Sequence, residues 1–107
     1  MMEKPSKTQK PLLRLYDAIT LSNLWLSILS LANEEQVYAY NLADAINKKF
    51  GFKPSRLLVY LVLYKLEASG YLKSHTLGKR NYYAITNNGK LLLDQGKKLL
   101  NERANEV

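Results

Sequence analysis

The side chains best able to do chemistry in this chain are cations, and they are concentrated in its central third. The formal net charge of the 107 residues is +7, and residues 48–80 alone carry eight Lys and Arg against one carboxylate. A positive field of this kind attracts polyanions by long-range steering and by release of condensed counterions. The pattern indicates a phosphate-rich partner, and the alternative is a solvated basic face that keeps the protein soluble.

Other kinds of reactive site are poorly represented. The chain has no cysteine and one histidine, His75, so thiolate chemistry, disulfides and ordinary zinc sites are not expected. The carboxylates Asp17, Glu34, Glu35 and Asp44 do not form a convincing catalytic pair, and no phosphate-binding glycine loop or nucleophile elbow is present. We therefore predict no enzyme activity, no metal and no cofactor.

The central cations lie on a predicted helix and on the β-hairpin that directly follows it. Ser55 is suited to cap the start of this helix, and Gly70 is suited to end it. Two β-prone runs, 72–77 and 82–86, then flank a basic turn from Gly78 to Asn81. This succession is typical of a winged helix-turn-helix, which places the helix in a DNA major groove and the hairpin, or wing, against the backbone.

The rest of the chain supplies the elements that would hold this unit. Length and composition predict one small α+β domain, with a flexible basic tail at residues 1–10 and a single winged-helix domain at 11–107. Its core would be three helices plus the hairpin, with additional N- and C-terminal helices. Predicted bounds are a helix from Pro11, a buried helix at 24–32 containing Trp25, a strand at 37–39, a helix at 41–50, and a last helix at about 87–104, capped by Asn87 and Asn88.

Helical spacing divides the helix after Ser55 into two faces. Val59, Val62, Leu63 and Leu66 form the inward stripe. The outward arc and the hairpin hold the candidate DNA-binding residues, among which Arg56 is suited to guanine, and tyrosine and lysine to phosphates. For the two helix tyrosines the alternative is packing against the wing or the N-terminal helix. The candidates are Ser55, Arg56, Tyr60, Tyr64, Lys65, Lys73, His75, Lys79, Arg80 and Asn81.

At these residues the sequence resembles the PadR-type transcriptional regulators. Members of that family have a serine-led helix with a Leu-Tyr pair, then Leu-Glu, a glycine, and a basic wing ending in Tyr-Tyr. The matching positions here are Val59-Tyr60, Leu63, Leu66-Glu67, Gly70 and the segment 78–89, which includes Tyr82-Tyr83-Ala84-Ile85-Thr86. The resemblance covers residues 22 to 93. It implies a homodimeric repressor with a C-terminal dimerisation helix, and it implies that Tyr60 lies at the DNA surface.

The helix after Ser55 also carries apolar residues on its outward arc. Leu57, Leu58 and Leu61 fall where polar residues are expected, and exposed leucines mark protein interaction more often than base reading. A winged-helix module that binds proteins without sequence-specific DNA binding is therefore the alternative function. Two structural alternatives would leave these leucines unexposed: the N-terminal helix covers them, or the helix after Ser55 is rotated from the orientation that its spacing predicts.

The terminal helices carry apolar stripes that one small core cannot cover. We expect them to pack across a two-fold axis, which would also set two recognition helices one DNA turn, roughly 34 Å, apart. The alternative is a monomer whose terminal helices fold back on their own core. The apolar stretches within 24–32 and 57–63 are too short for a bilayer, no signal peptide is recognisable, and no motif identifies an effector, so a cytoplasmic protein without membrane contact is expected. The predicted dimer residues are Leu12, Leu15, Tyr16, Ile19, Leu92, Leu99 and Leu100.

Overall fold

A computed structural model describes all 107 residues and contains five α-helices and three strands. The antiparallel sheet has the order β1-β3-β2, so β3 lies in the middle and β2 and β3 form the wing. This is the α+β winged helix-turn-helix that the sequence predicted. The elements are α1 Lys10–Ile19, α2 Leu24–Glu34, β1 Val37–Tyr38, α3 Leu42–Phe50, α4 Arg56–Ala68, β2 Leu72–Leu77, β3 Arg80–Ile85 and α5 Asn87–Glu106.

Helix α2 is the centre of the core, as its apolar composition predicted. Ile28 and Leu29 are fully buried, and α3 and α4 pack against α2 through Ile46 and Leu63. Trp25 is half-buried at the edge of this core, with its indole Nε1 donating a hydrogen bond to Asn23 at 3.2 Å. The wing packs on this core through α2, which contacts β3, and through α4, which contacts β2.

Helix α4 begins and ends where the sequence predicted. The Ser55 hydroxyl accepts a hydrogen bond from the Leu58 amide at 3.1 Å, which satisfies one of the free amides of the first turn. After Ala68 the chain turns at Gly70, whose φ of 82° lies in the left-handed region that favours glycine. The chain then enters β2 at Leu72, so α4 and the wing are joined by the short turn at residues 69–71.

Two local predictions were wrong by a few residues. The hairpin turn contains only Gly78 and Lys79, and β3 already begins at Arg80, because Gly78 adopts a φ of 63° that closes a two-residue turn. The cap of α5 is Thr86 rather than Asn87 or Asn88. The extended backbone of Thr86 lets its hydroxyl accept from the Gly89 amide at 3.0 Å.

The apolar stretch within 24–32, which we judged too short to cross a bilayer, belongs to a longer helical segment, Lys10–Glu34. By length and composition alone its 25 residues suffice to cross a membrane. A 3₁₀ turn at Leu21–Asn23 interrupts it, and the α2 side chains that make it apolar fill the core of the domain. A buried core helix accounts for this composition.

Candidate nucleic-acid interface

The exposed face of α4 is the one that helical spacing predicted. Val59, Leu63 and Leu66 are buried on the inner side, while the rings of Tyr60 and Tyr64 are on the surface. Tyr64 is 70% exposed, which excludes the alternative that it packs against the wing or α1. Arg56 and Lys65 are exposed on either flank of this face. The helix candidates are therefore together and open to a partner.

Arg56 is held in place by an aromatic ring that the sequence did not single out. Its guanidinium carbon lies 4.3 Å from the centroid of the Tyr40 ring, within the range of a cation–π contact. Asp44 is nearby, but it bonds to Lys53 at 2.8 Å. That hydrogen bond, the charge of Lys53 and then the charge of Arg56 lower the pKa of the Asp44 carboxyl. At the start of α4 the Arg56 guanidinium therefore packs on the Tyr40 ring, and its N–H donors make no ion pair.

The wing candidates divide between the turn and the outer face of the sheet. Lys79 is exposed in the turn, but Arg80 belongs to β3 and its guanidinium lies 5.1 Å from the Tyr38 ring centroid. The pKa of Arg80 is raised, first by a hydrogen bond to Tyr82 and then by electrostatic interaction with Tyr82 and with Tyr38. The expectation that Arg80 lies in the turn was wrong, because Arg80 pairs with Leu77 as the first residue of β3. Strand alternation places its side chain on the same face as that of Tyr82.

The same outer face carries two further candidates. His75 stands opposite Tyr82 and stacks on its ring, with centroids 5.8 Å apart, and Lys73 lies two residues earlier on the same side. Asn81 points to the other face, where its side-chain oxygen accepts from the Thr76 hydroxyl at 3.1 Å. Lys73, His75 and Arg80 therefore form one row, and Asn81 is not part of it.

Glu67 ties the wing to α4. Its Oε2 accepts hydrogen bonds from both the amide and the hydroxyl of Ser74, the former at 3.1 Å. The glutamate of the Leu66-Glu67 pair therefore links β2 to α4 through two hydrogen bonds. Burial, followed by the charge of Glu67 and the proximity of Tyr60, raises the pKa of the Tyr83 hydroxyl on the inner face of β3.

Only part of the central positive charge is compensated locally. Lys49 pairs with Glu34 and Lys53 pairs with Asp44, at the far side of α3 and at the loop before α4. No other cation between residues 48 and 80 makes an ion pair in the structure. Arg56, Lys65, Lys73, Lys79 and Arg80 therefore retain their attraction for phosphate.

The apolar side chains predicted to form a dimer surface differ in their exposure within the single chain. Leu12, Leu15, Leu99 and Leu100 are exposed, whereas Ile19 and Leu92 are half-buried. Tyr16 differs from the expectation: its ring is 7% exposed, because α1 turns this side chain toward the interior of its own protomer. An open groove of about 720 Å³ runs between α2, the end of α3 and α5, and it is lined mostly by apolar side chains, including Leu100.

A comparison with protein-family models identifies one family. The model of the transcriptional regulator PadR-like family matches residues 28–95. A transcriptional regulator from Clostridium thermocellum is 26% identical, with a TM-score of 0.72, over 83% of this chain and 93% of its own. No curated protein matches the chain significantly.

Two further solved structures share the fold. A PadR family transcription regulator from Clostridium difficile is 24% identical, with a TM-score of 0.67, over 77% of this chain and 94% of its own. Bacillus subtilis PadR in complex with operator DNA is 22% identical, with a TM-score of 0.58, over 67% of this chain and 44% of its own. At these identities the likeness concerns the fold.

Proposed function

This chain belongs to the PadR-like family of transcriptional regulators, and we propose that it is a cytoplasmic, homodimeric repressor that binds a specific sequence in double-stranded DNA. The observation that carries the proposal is the exposed face of α4, which is flanked by cations without an ion pair and is joined by a short turn to a wing that bears more of them. Operator DNA in the Bacillus subtilis PadR structure supports the same partner for this fold.

The residues on the two elements take different roles. Arg56 at the start of α4 contacts base edges, because an arginine fork pairs with guanine O6 and N7. Tyr60, Tyr64 and Lys65 reach phosphates beside the groove, and Lys79, with Lys73, His75 and Arg80 behind it, follows the backbone along the wing. Ser55 contributes by capping α4, since its hydroxyl oxygen accepts a hydrogen bond from the Leu58 amide.

The terminal helices support the homodimer. The exposed leucines on α1 and α5 are apolar surface that a second copy would cover, and the mostly apolar groove between α2 and α5 adjoins this surface at Leu100. A two-fold arrangement presents two α4 helices to successive major grooves, roughly 34 Å apart. Repression then follows from occupation of the operator.

A protein-binding module is the second candidate, and one observation favours it. Leu57 is 79% exposed and Leu61 is 47% exposed on the outer face of α4, so neither alternative that would hide them applies. A partner with an apolar surface would bury both side chains without reading DNA.

Salt dependence of binding to a random duplex distinguishes the two functions. We expect the chain to shift duplex DNA at low salt, with an affinity that falls steeply as salt rises because each phosphate contact releases counterions. Replacing both Lys79 and Arg80 by Ala should reduce the log–log slope by about two, because two phosphates would no longer be neutralised. Electrophoretic shifts at several salt concentrations give this slope.

A matched pair of cations away from the interface is the control. Lys90 and Lys98 lie on α5, outside the wing and outside the groove between α2 and α5, and their replacement by Ala should remove the same charge while leaving the slope nearly unchanged. If the chain does not associate with DNA at low salt, DNA binding is contradicted, and if it associates without salt dependence, the proposed phosphate contacts are contradicted. Either outcome favours the protein-binding function.

A further inference from the structure

The outer face of α4 has an apolar centre and a cationic border. Leu57, Leu61 and Tyr64 lie along one line of the helix at positions i, i+4 and i+7, and all three are exposed. Arg56 lies on one side of this line and Lys65 on the other, about 100° and 80° around the helix from Leu57. We call Leu57, Leu61 and Tyr64 the apolar stripe.

The structure reduces the number of leucines that need a partner from three to two. Leu58 is half-buried and packs against the core, so its side chain is already covered. Leu57 belongs to the first turn of α4, the part of a recognition helix that approaches base edges, and Leu61 follows one turn later. Two leucines at the centre of such a helix are few enough to be met by base edges.

The charges around the stripe favour an anionic partner that also offers apolar groups. The only carboxylate of α4 is Glu67, and it is engaged by Ser74 of the wing. The major groove meets both requirements, because phosphates border it and each thymine places a methyl group on its floor.

From these observations we propose that Leu57 and Leu61 read thymine methyl groups, so that the operator half-site carries thymines at the positions facing the first two turns of α4. The two leucines are separated by about 6 Å along the helix, close to the roughly 7 Å of two base-pair steps. The inference rests on the proposed function, and it adds a base preference to it.

Replacement of thymine by uracil tests this assignment, since it removes the methyl group and leaves base pairing intact. Duplexes that bind the full chain are selected from a random pool, and each thymine of the best duplex is replaced in turn by deoxyuridine. We expect about fourfold weaker binding at one or two positions in each half-site, the effect of exposing one buried methyl group. The ratio of the affinity for the thymine duplex to that for the uracil duplex should fall to about one at one position in Leu57→Ala and at another in Leu61→Ala.

An exposed leucine elsewhere provides the control. Leu91 on α5 is 57% exposed, and Leu91→Ala should keep the wild-type ratio at every position. The ratio is taken within each variant, so general losses of affinity or dimerisation cancel.

The other possible outcomes contradict either the reading of methyl groups, its assignment to the two leucines, or DNA binding itself. If a selected duplex binds with salt-dependent affinity but no replacement changes the affinity twofold, methyl reading is wrong while DNA binding stands. If uracil weakens binding but both leucine variants keep the ratio, the methyl groups are read by other residues. If no duplex is selected, the proposed function and this inference fail together, and capture of an acidic, leucine-rich peptide by the wild type but not by Leu57→Ala identifies the stripe as a protein-binding site.

Discussion

Arg56 is the residue whose environment is best arranged for base recognition. Stacking on Tyr40 orients the guanidinium before DNA arrives, so less side-chain freedom is lost on binding. Arg56→Ala should weaken binding to the selected duplex by about 1–3 kcal/mol and relax the preference at one base pair. Affinities for the selected duplex and its single-base variants measure both effects.

Arg56→Lys is the companion variant, because it keeps the charge and removes the planar fork. It should restore affinity for random duplex without restoring the preference. If Arg56→Ala weakens binding equally on every sequence, the residue anchors phosphate and does not read a base. Tyr40→Ala should show a weaker form of the Arg56→Ala phenotype.

Tyr83 makes stability depend on alkaline pH. Its folded-state pKa is raised above 10.0, so the folded protein holds this proton more tightly than the unfolded chain does. The resulting stabilisation is complete below about pH 10 and is lost as the pH rises through the folded-state value. Between about pH 8 and pH 10.5, the urea concentration at the midpoint of unfolding should decrease less in Tyr83→Phe than in the wild type. An equal fall in both proteins would contradict the assignment, and Tyr40→Phe, on an exposed tyrosine, is the control.

At the scale of elements, the junction between the wing and α5 depends on one glycine. A Cβ at Gly89 would lie 2.2 Å from the Tyr71 carbonyl oxygen and 2.7 Å from Ile85 Cγ1. The same carbonyl accepts from the Thr86 amide at 3.1 Å, and the Thr86 hydroxyl donates to the Gly70 carbonyl at 2.6 Å. The Ile-Thr-x-x-Gly part of the family pattern is therefore a close contact between the end of α4 and the start of α5.

Gly89→Ala should consequently destabilise the fold even though alanine is the better helix former. Moving the Tyr71 backbone away from the new methyl group costs on the order of 1–3 kcal/mol, which overrides the gain in helix propensity. Thermal unfolding followed by circular dichroism measures the loss. Lys90→Ala, at the exposed neighbouring position, should leave the melting temperature nearly unchanged, and a Gly89→Ala protein as stable as the wild type would show that α5 shifts freely.

The elements were predictable to the extent that local chemistry determines them. Ser55 and Gly70 fixed the ends of α4, and the spacing of Val59, Leu63 and Leu66 identified its buried face. The start of β3 was not predictable, since the two-residue turn follows from the backbone of Gly78 in the paired hairpin. Contacts between distant segments, such as Arg56 on Tyr40, leave no signal in local spacing.

At the scale of the whole molecule, one chain leaves its C-terminal helix largely uncovered. Every residue from 97 to 107 is exposed. The radius of gyration is 14.5 Å, against about 13 Å for a compact chain of this length. The domain is elongated because α5 extends past the core, and Leu99 and Leu100 lie on the extended part. This shape supports a second copy, since Leu99 and Leu100 remain 69% and 44% exposed in the single chain.

Leu99→Asp should therefore convert the proposed dimer to a monomer. The substitution would place a carboxylate in the proposed apolar contact between two subunits, where its desolvation opposes association. Because Leu99 is 69% exposed within the protomer, the monomer should remain folded. Sedimentation equilibrium at tens of micromolar should give twice 12.3 kDa for the wild type and 12.3 kDa for Leu99→Asp. Asn105→Asp adds the same charge to an exposed position on a different side of α5, and it should remain dimeric. A wild-type mass of 12.3 kDa, unchanged by Leu99→Asp, would exclude the dimer and with it the paired half-sites that the two recognition helices are proposed to read.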